Sequence, residues 1–340
     1  MRPLPAAALL LAAVAGACAH APAPSARAAT PAPAPVWPAP PAAPRVRWIA
    51  SIPPPEPQAG TRSWWRRAAD AVLGIEEAQA PASPFARPFG VAVDGPELVV
   101  ADPDGAQVLA IDRTTGKQRA LTCPGRPWIA PMAVAAAPDR TRYVADASGV
   151  VARLPAGGGC TLIGDGRLTR PTGVAWQRDR VWAVDPPEHR LVAFAPDGRE
   201  LLRIGGPGSG PSQLHFPTAV AAAADGSILV VDALNFRVSR FAADGAPLDR
   251  FGRAGEEEGA FGRPKAVAAG PRGEILVTDA LTDQVKIFGA AGRFELAFGG
   301  SGSGPGQLLL PAGIAVSGRR VYVCDSLNRR VAVFELEEEA

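Results

Sequence analysis

Histidine is scarce in this 340-residue chain; His20, His189 and His215 are the full set. His20 sits in an Ala/Pro-rich stretch. The other two fall at different positions of their repeats and are not expected to meet, which excludes a three-His zinc site within one chain. Cysteine is nearly as sparse, with Cys18, Cys123, Cys160 and Cys324 and no Cys-x-x-Cys pair. No P-loop or Ser-His-Asp signature is present either. An excess of one charge is also missing. The formal net charge is +2, so the composition supplies no pull towards nucleic acid, and no nucleic-acid partner is expected. Past the N-terminus no apolar run reaches the roughly 18 residues of a membrane span, and no transmembrane helix is expected.

Glycine and proline, by contrast, are abundant, at 37 each. Some of the proline lies near the N-terminus. Arg2 precedes an apolar run, Ala6 to Ala17, that suits the core of an export signal and is too short to span a bilayer. The run ends in Ala15-Gly16-Ala17-Cys18, which resembles a bacterial lipobox with Ala15 where leucine is usual. That resemblance implies a signal peptide over 1–18 and lipidation of Cys18. The alternative is a plain signal cut near Ala17 or Ala19. Ala19, in place of Asp, implies sorting to an outer membrane, with the protein facing the periplasm. Residues 19–44 are dominated by Ala and Pro and read as an extended linker, because they cannot bury enough apolar surface to fold.

The rest of the glycine and proline marks a repeat. Six segments share a Pro, an apolar strand, a turn and a second apolar strand ending in Asp. The prolines are Pro88, Pro131, Pro171, Pro217, Pro264 and Pro311; the aspartates are Asp102, Asp146, Asp185, Asp232, Asp279 and Asp325. Both series advance by 39 to 47 residues, and each unit holds about four short strands. The first two strands are almost wholly small or β-branched, as in Ile228 to Val231, which is how a strand covered on both faces reads. Tight turns such as Asp197-Gly198 and Asp244-Gly245 join the outer strands. The period and strand count predict an all-β, six-bladed β-propeller with four-stranded antiparallel blades over about 85–335.

The segments Phe298-GGSGSGPGQLLLPAGIAV and Ile204-GGPGSGPSQLHFPTAV, with Asp325-SLNRRVAVF and Asp232-ALNFRVSRF, resemble the NHL repeat. Units three to six match well, and units one and two are degenerate. The resemblance implies the propeller fold and is nearly silent on activity, because such propellers occur in binding proteins and in enzymes.

The sixth unit ends after its third strand. Residues 46–52, Val-Arg-Trp-Ile-Ala-Ser-Ile, alternate and are rich in β-formers, so they are expected to complete blade six and close the ring within a 45–340 propeller. Between this strand and blade one, Trp64, Ala68, Ala71, Val72 and Ile75 recur at helical spacing, which predicts an amphipathic helix over 63–78. The acidic tail from Glu335 reads as a frayed end.

The six repeat aspartates invite a metal reading. Their presence in every unit fits a structural role better, with each carboxylate taking amides of the turn that follows its strand. The Asn-x-Arg element, Asn235 to Arg237 and Asn328 to Arg330, with His189 and Arg190 at the matching place in unit three, lies on one face of the disc. It either caps the turn and pairs with the nearby Asp or forms an Arg-bearing patch that grips an anionic or peptide ligand. Cys123 and Cys160 are placed near opposite faces. This argues against a bridge that an oxidising compartment would permit, and Cys324 reads as a small buried residue. No cofactor and no catalytic residue is assigned, the metal content is left undetermined, and a calcium site from Asp, Asn and backbone oxygens stays open. The poverty of catalytic side chains points to a non-catalytic module of the cell envelope that binds an envelope protein or peptide and touches the membrane through its lipid alone. The alternative is a metal-dependent propeller hydrolase or lyase, lactonase- or esterase-like, with calcium at the channel mouth.

Overall fold

The computed structural model describes residues 33–52, 84–255 and 257–337. The expected signal segment 1–18, the first stretch of the linker and the expected helix over 63–78 lie outside the described residues. What is described is a six-bladed, all-β propeller of antiparallel sheets. The innermost strands are Gly90–Asp94, Pro131–Ala136, Gly173–Gln177, Pro217–Ala222, Pro264–Ala269 and Pro311–Ser317. In blades one to five the chain then steps outward strand by strand, so sequence neighbours are sheet neighbours.

Blade six is assembled from both ends of the chain. Val46–Ile52 pairs antiparallel with Arg330–Leu336, Val46 opposite Leu336 and Ile52 opposite Val331. A fifth strand, Val36–Trp37, adds to the outside of Val46–Ile52. The last stretch of the segment read as linker is therefore attached to the propeller, and the compact unit begins at Ala34. Trp37 is the reason. Its ring lies 6.0 Å from Phe298 and 5.8 Å from Phe334, giving an Ala/Pro segment one large apolar side chain to bury. The tail expected to fray is held as far as Glu337, because the third strand of blade six runs through Glu335 to Leu336 and the Glu337 carboxylate meets Arg47 at 2.8 Å.

The core is six separate seams, one between each pair of consecutive blades and one between blade six and blade one. This explains the unbroken apolar strands. Leu229 and Val231 face the seam with blade five, while Ile228 and Val230 face the seam with blade three. Glycine marks the tightest approaches. A Cβ on Gly313 would stand 2.4 Å from the Phe89 carbonyl oxygen, and one on Gly90 would stand 2.5 Å from that of Met132.

Cys123 and Cys160 form a disulfide, contrary to the placement expected from the strand count, with their Cα atoms 5.2 Å apart. The fourth strands of blades one and two are only three residues long, Gln118–Ala120 and Thr161–Ile163. The chain turns at Cys123–Arg126, and both cysteines reach the apolar seam between the two blades beside Leu121 and Leu154. Cys324 is fully buried, and burial pushes its thiol up.

Candidate functional site

All six repeat aspartates end the second strand of their blades and are buried, and the face they reach is called the upper face below. Their main partners lie upstream rather than in the turn that follows. Asp102 accepts the amides of Ala86 and Arg87, Asp185 those of Thr169 and Arg170, and Asp279 those of Gly262 and Arg263, at 2.7–2.9 Å. Asp146 takes Ile129 and Ala130, Asp232 takes His215, and Asp325 takes Leu309. Each carboxylate thus fastens the chain segment entering its own blade to that blade's second strand. The following turn contributes an amide in blades one, two and five, from Gly105, Ser148 and Leu281. Among the described residues no three of His, Cys, Asp and Glu converge as a metal site.

The Asn-x-Arg element serves the same fastening. Arg237 donates Nε to Asp232 at 2.8 Å and its terminal nitrogens to the carbonyl oxygens of Ser209, Gly210 and Gln213. Arg330 repeats this with Asp325, Ser303, Gly304 and Gln307. Asn235 and Asn328 donate to the same aspartates and to Gly208 and Gly302. The two guanidinium groups therefore organise the glycine-rich connections into blades four and six. Each makes four hydrogen bonds to the chain itself, which leaves it poorly placed to grip a ligand. In blade five the position paired with Asp279 is Gln284, and Lys286, two residues on and on the same strand face, replaces the arginine. Its ammonium is buried, lies 3.1 Å from Asp279 and donates to the Ala260 carbonyl. Sequence reading missed Lys286 because it is shifted by two within the repeat. In blade three Arg190 turns outward to Glu188 at 3.7 Å rather than to Asp185.

His189 and His215 do meet, against expectation, with ring centroids 5.4 Å apart. The connection Gly206 to Phe216 lies back over blade three, where the Gly206 amide bonds the His189 carbonyl and His189 Nδ1 accepts the Phe216 amide. Two blades further on, Asp283 acts in the same way, accepting the Leu310 amide at 2.8 Å.

The axial channel is lined by the six innermost strands and encloses about 270 Å³. Its lining is mostly small and apolar, with Thr172, Thr218 and Lys265 as the exceptions. Both threonine hydroxyls donate to the next blade, Thr172 to the Thr218 carbonyl and Thr218 to the Lys265 carbonyl. Among the described residues no carboxylate, histidine or asparagine lines it, so the lining does not fit a calcium site, which needs several oxygen donors including carboxylates. Lys265 is the single ionisable residue of that described lining. Burial, then the charges of Arg263 and Arg87, pull its ammonium down to about 8. Aligning the residue just before each repeat proline would have found its surroundings. The series is Arg87, Ala130, Arg170, Phe216, Arg263 and Leu310, with arginine in every second blade.

A family described as "6-bladed beta-propeller" matches residues 257–339, less than half of the chain. No curated protein matches the sequence significantly. Solved structures similar in fold include a streptogramin B lyase, at 13% identity and TM-score 0.56, covering 75% of this chain and 95% of that one. A gluconolactonase from Xanthomonas campestris aligns at 19% identity and TM-score 0.58 over 74% and 87% of the two chains. An auxiliary nutrient binding protein from Bacteroides thetaiotaomicron aligns at 11% and 0.60, over 75% and 70%. At such identities the likeness is one of fold alone, and it spans enzymes and a binding protein.

Proposed function

We propose that the chain is a non-catalytic binding module of the cell envelope, exported and lipid-anchored through Cys18, that docks a protein or peptide partner on the upper face of the propeller. The observation that carries this reading is the chemistry of that face. Its polar strand-end groups are spent on holding loops, while Leu234, Leu281 and Leu327 stand exposed at matching places in blades four, five and six. Ile129, on the connection into blade two, is exposed as well. Large apolar side chains repeated on one surface suit a macromolecular partner. Against the hydrolase or lyase reading stands the described lining of the channel, which offers no carboxylate and carries a cation. The repeat resemblance to NHL propellers agrees with either class.

Photo-cross-linkers placed at 234, 281 and 327 should give one common adduct in intact envelopes, and cross-linkers on the opposite face, at Arg178 or Asp244, should not. Adducts from both faces alike, or from neither, would end the docking reading. Metal-ion analysis of the purified chain, with melting curves with and without chelator, tests the competing enzyme. A stoichiometric ion whose removal lowers Tm overturns the non-catalytic assignment. Labelled palmitate should be incorporated and lost in Cys18→Ser.

A further inference from the structure

Lys265 stands alone. It makes no ion pair or hydrogen bond through its side chain among the described residues, although it is half-buried and faces the channel. An ammonium withdrawn from water without an anion is costly, so a site that keeps one is short of a counter-charge. Its neighbours add to the deficit. Arg263 is exposed and makes no side-chain contact with an anion, and Arg170, at the equivalent place in blade three, makes none either among the described residues. Among the described residues Arg87 has only a 3.8 Å approach to Asp104, and its buried Nε finds no partner. The backbones of all three arginines are pinned by Asp102, Asp185 and Asp279, so the positive rim is built into the repeat. Outside it lie Leu234, Leu281 and Leu327, half to two-thirds exposed.

We propose that the upper mouth of the channel receives a carboxylate side chain from an acidic, leucine-flanked segment of the protein partner, with Lys265 as its counter-ion and Arg87, Arg170 and Arg263 as its rim. This rests on the reading of the upper face as the docking face. Charge selects the acidic group, and the exposed leucines select a peptide over a free inorganic anion. The cavity, about 270 Å³, falls below the ~300–1,000 Å³ of ordinary small-molecule sites and suits a single side chain.

The chain has three lysines, Lys117, Lys265 and Lys286, so reductive methylation with carbon-13 labels Lys265 in a nearly empty spectrum. The probe is a blocked pentapeptide of alternating leucine and glutamate, added to the full-length protein. The Lys265 signal should shift on titration and its proton affinity should rise. The glutamine analogue should bind at least tenfold more weakly. Binding should weaken as pH rises from 7 to 9, as Lys265 loses its proton. Arg87 and Arg263 are the charged groups that act on it, and the other described lining residues are uncharged. Lys265→Thr installs the residue found at this place in blades three and four and should weaken peptide binding at least tenfold with Tm retained. Arg263→Ala, at an exposed position, should weaken it less. A Lys265 signal that ignores the acidic peptide, an equal response to the glutamine analogue, inorganic phosphate binding as tightly as the peptide, or unchanged affinity in Lys265→Thr would each overturn the site. Cross-linking from 234, 281 and 327 that succeeds while Lys265 stays silent would refute this site and leave the docking face standing.

Discussion

Blades one and two hold their edges differently from blades four and six. In blades four and six a long glycine-rich connection arches over the upper face, and one arginine gathers its carbonyl oxygens against a buried aspartate. Among the described residues blade one has no such arginine. Gln107 occupies the register position opposite Asp102 and donates to it and to the Pro84 carbonyl. Blade two has Val150 there. The outer strands of these two blades are short, and a disulfide joins them where the others rely on side-chain packing. One ring thus uses a charged clasp within a blade and a covalent staple between two blades. The clasp depends on a buried charge being matched, and the staple depends on oxidation.

Breaking the clasp should have the largest effect. Arg237→Ala leaves the buried Asp232 without its guanidinium partner, and stability should fall by about 3–5 kcal/mol in denaturant unfolding, whereas Gln107→Ala in blade one should lose only about 1 kcal/mol. Equal losses would mean that blades one and four are held alike. Next comes the staple. Cys160→Ser, or reductant acting on the native chain, should lower stability by about 2–4 kcal/mol. Hydrogen exchange should rise first in blades one and two.

Blade five gives an intermediate case. Burial opposes ionisation of Asp279, but the amides of Gly262 and Arg263 and the Lys286 ammonium outweigh it and hold the carboxyl below its ordinary value. Its stabilisation is therefore full above the ordinary carboxylate value and is lost as pH falls through the depressed one. Lys286→Met keeps the amide donors and should lose about 1–3 kcal/mol at neutral pH. The acid limb of Tm against pH should begin at a higher pH in this variant than in the native chain. Arg190→Ala should matter least. Its partner Glu188 is 3.7 Å away and both are partly exposed, so the change should stay within about 0.5 kcal/mol.

The blade count, the closing strand at 46–52 and the positions of the six aspartates were legible because each repeats or alternates with a fixed period; that the aspartates' main amide donors lie upstream rather than in the following turn was not. Partners within a blade were half legible. Asn235, Arg237 and Asp232 sit close in sequence, yet the carbonyl oxygens that occupy Arg237 come from residues 24 to 28 positions earlier. The pairing of Cys123 with Cys160 and the meeting of His189 with His215 were misread for a related reason. Both depend on where a connection turns between blades, and turning points carry no period.

By itself, then, the sequence determined the architecture. A period of about 45 residues with doubly apolar inner strands can bury its surface only by stacking blades into a ring. Tertiary structure alone decided what the upper face offers. Lys265 and Arg263 come from blade five and Arg87 from blade one, and they act on one another only because ring closure brings those blades together around a common axis. The charge at the channel mouth is a sum over blades, which no single repeat contains.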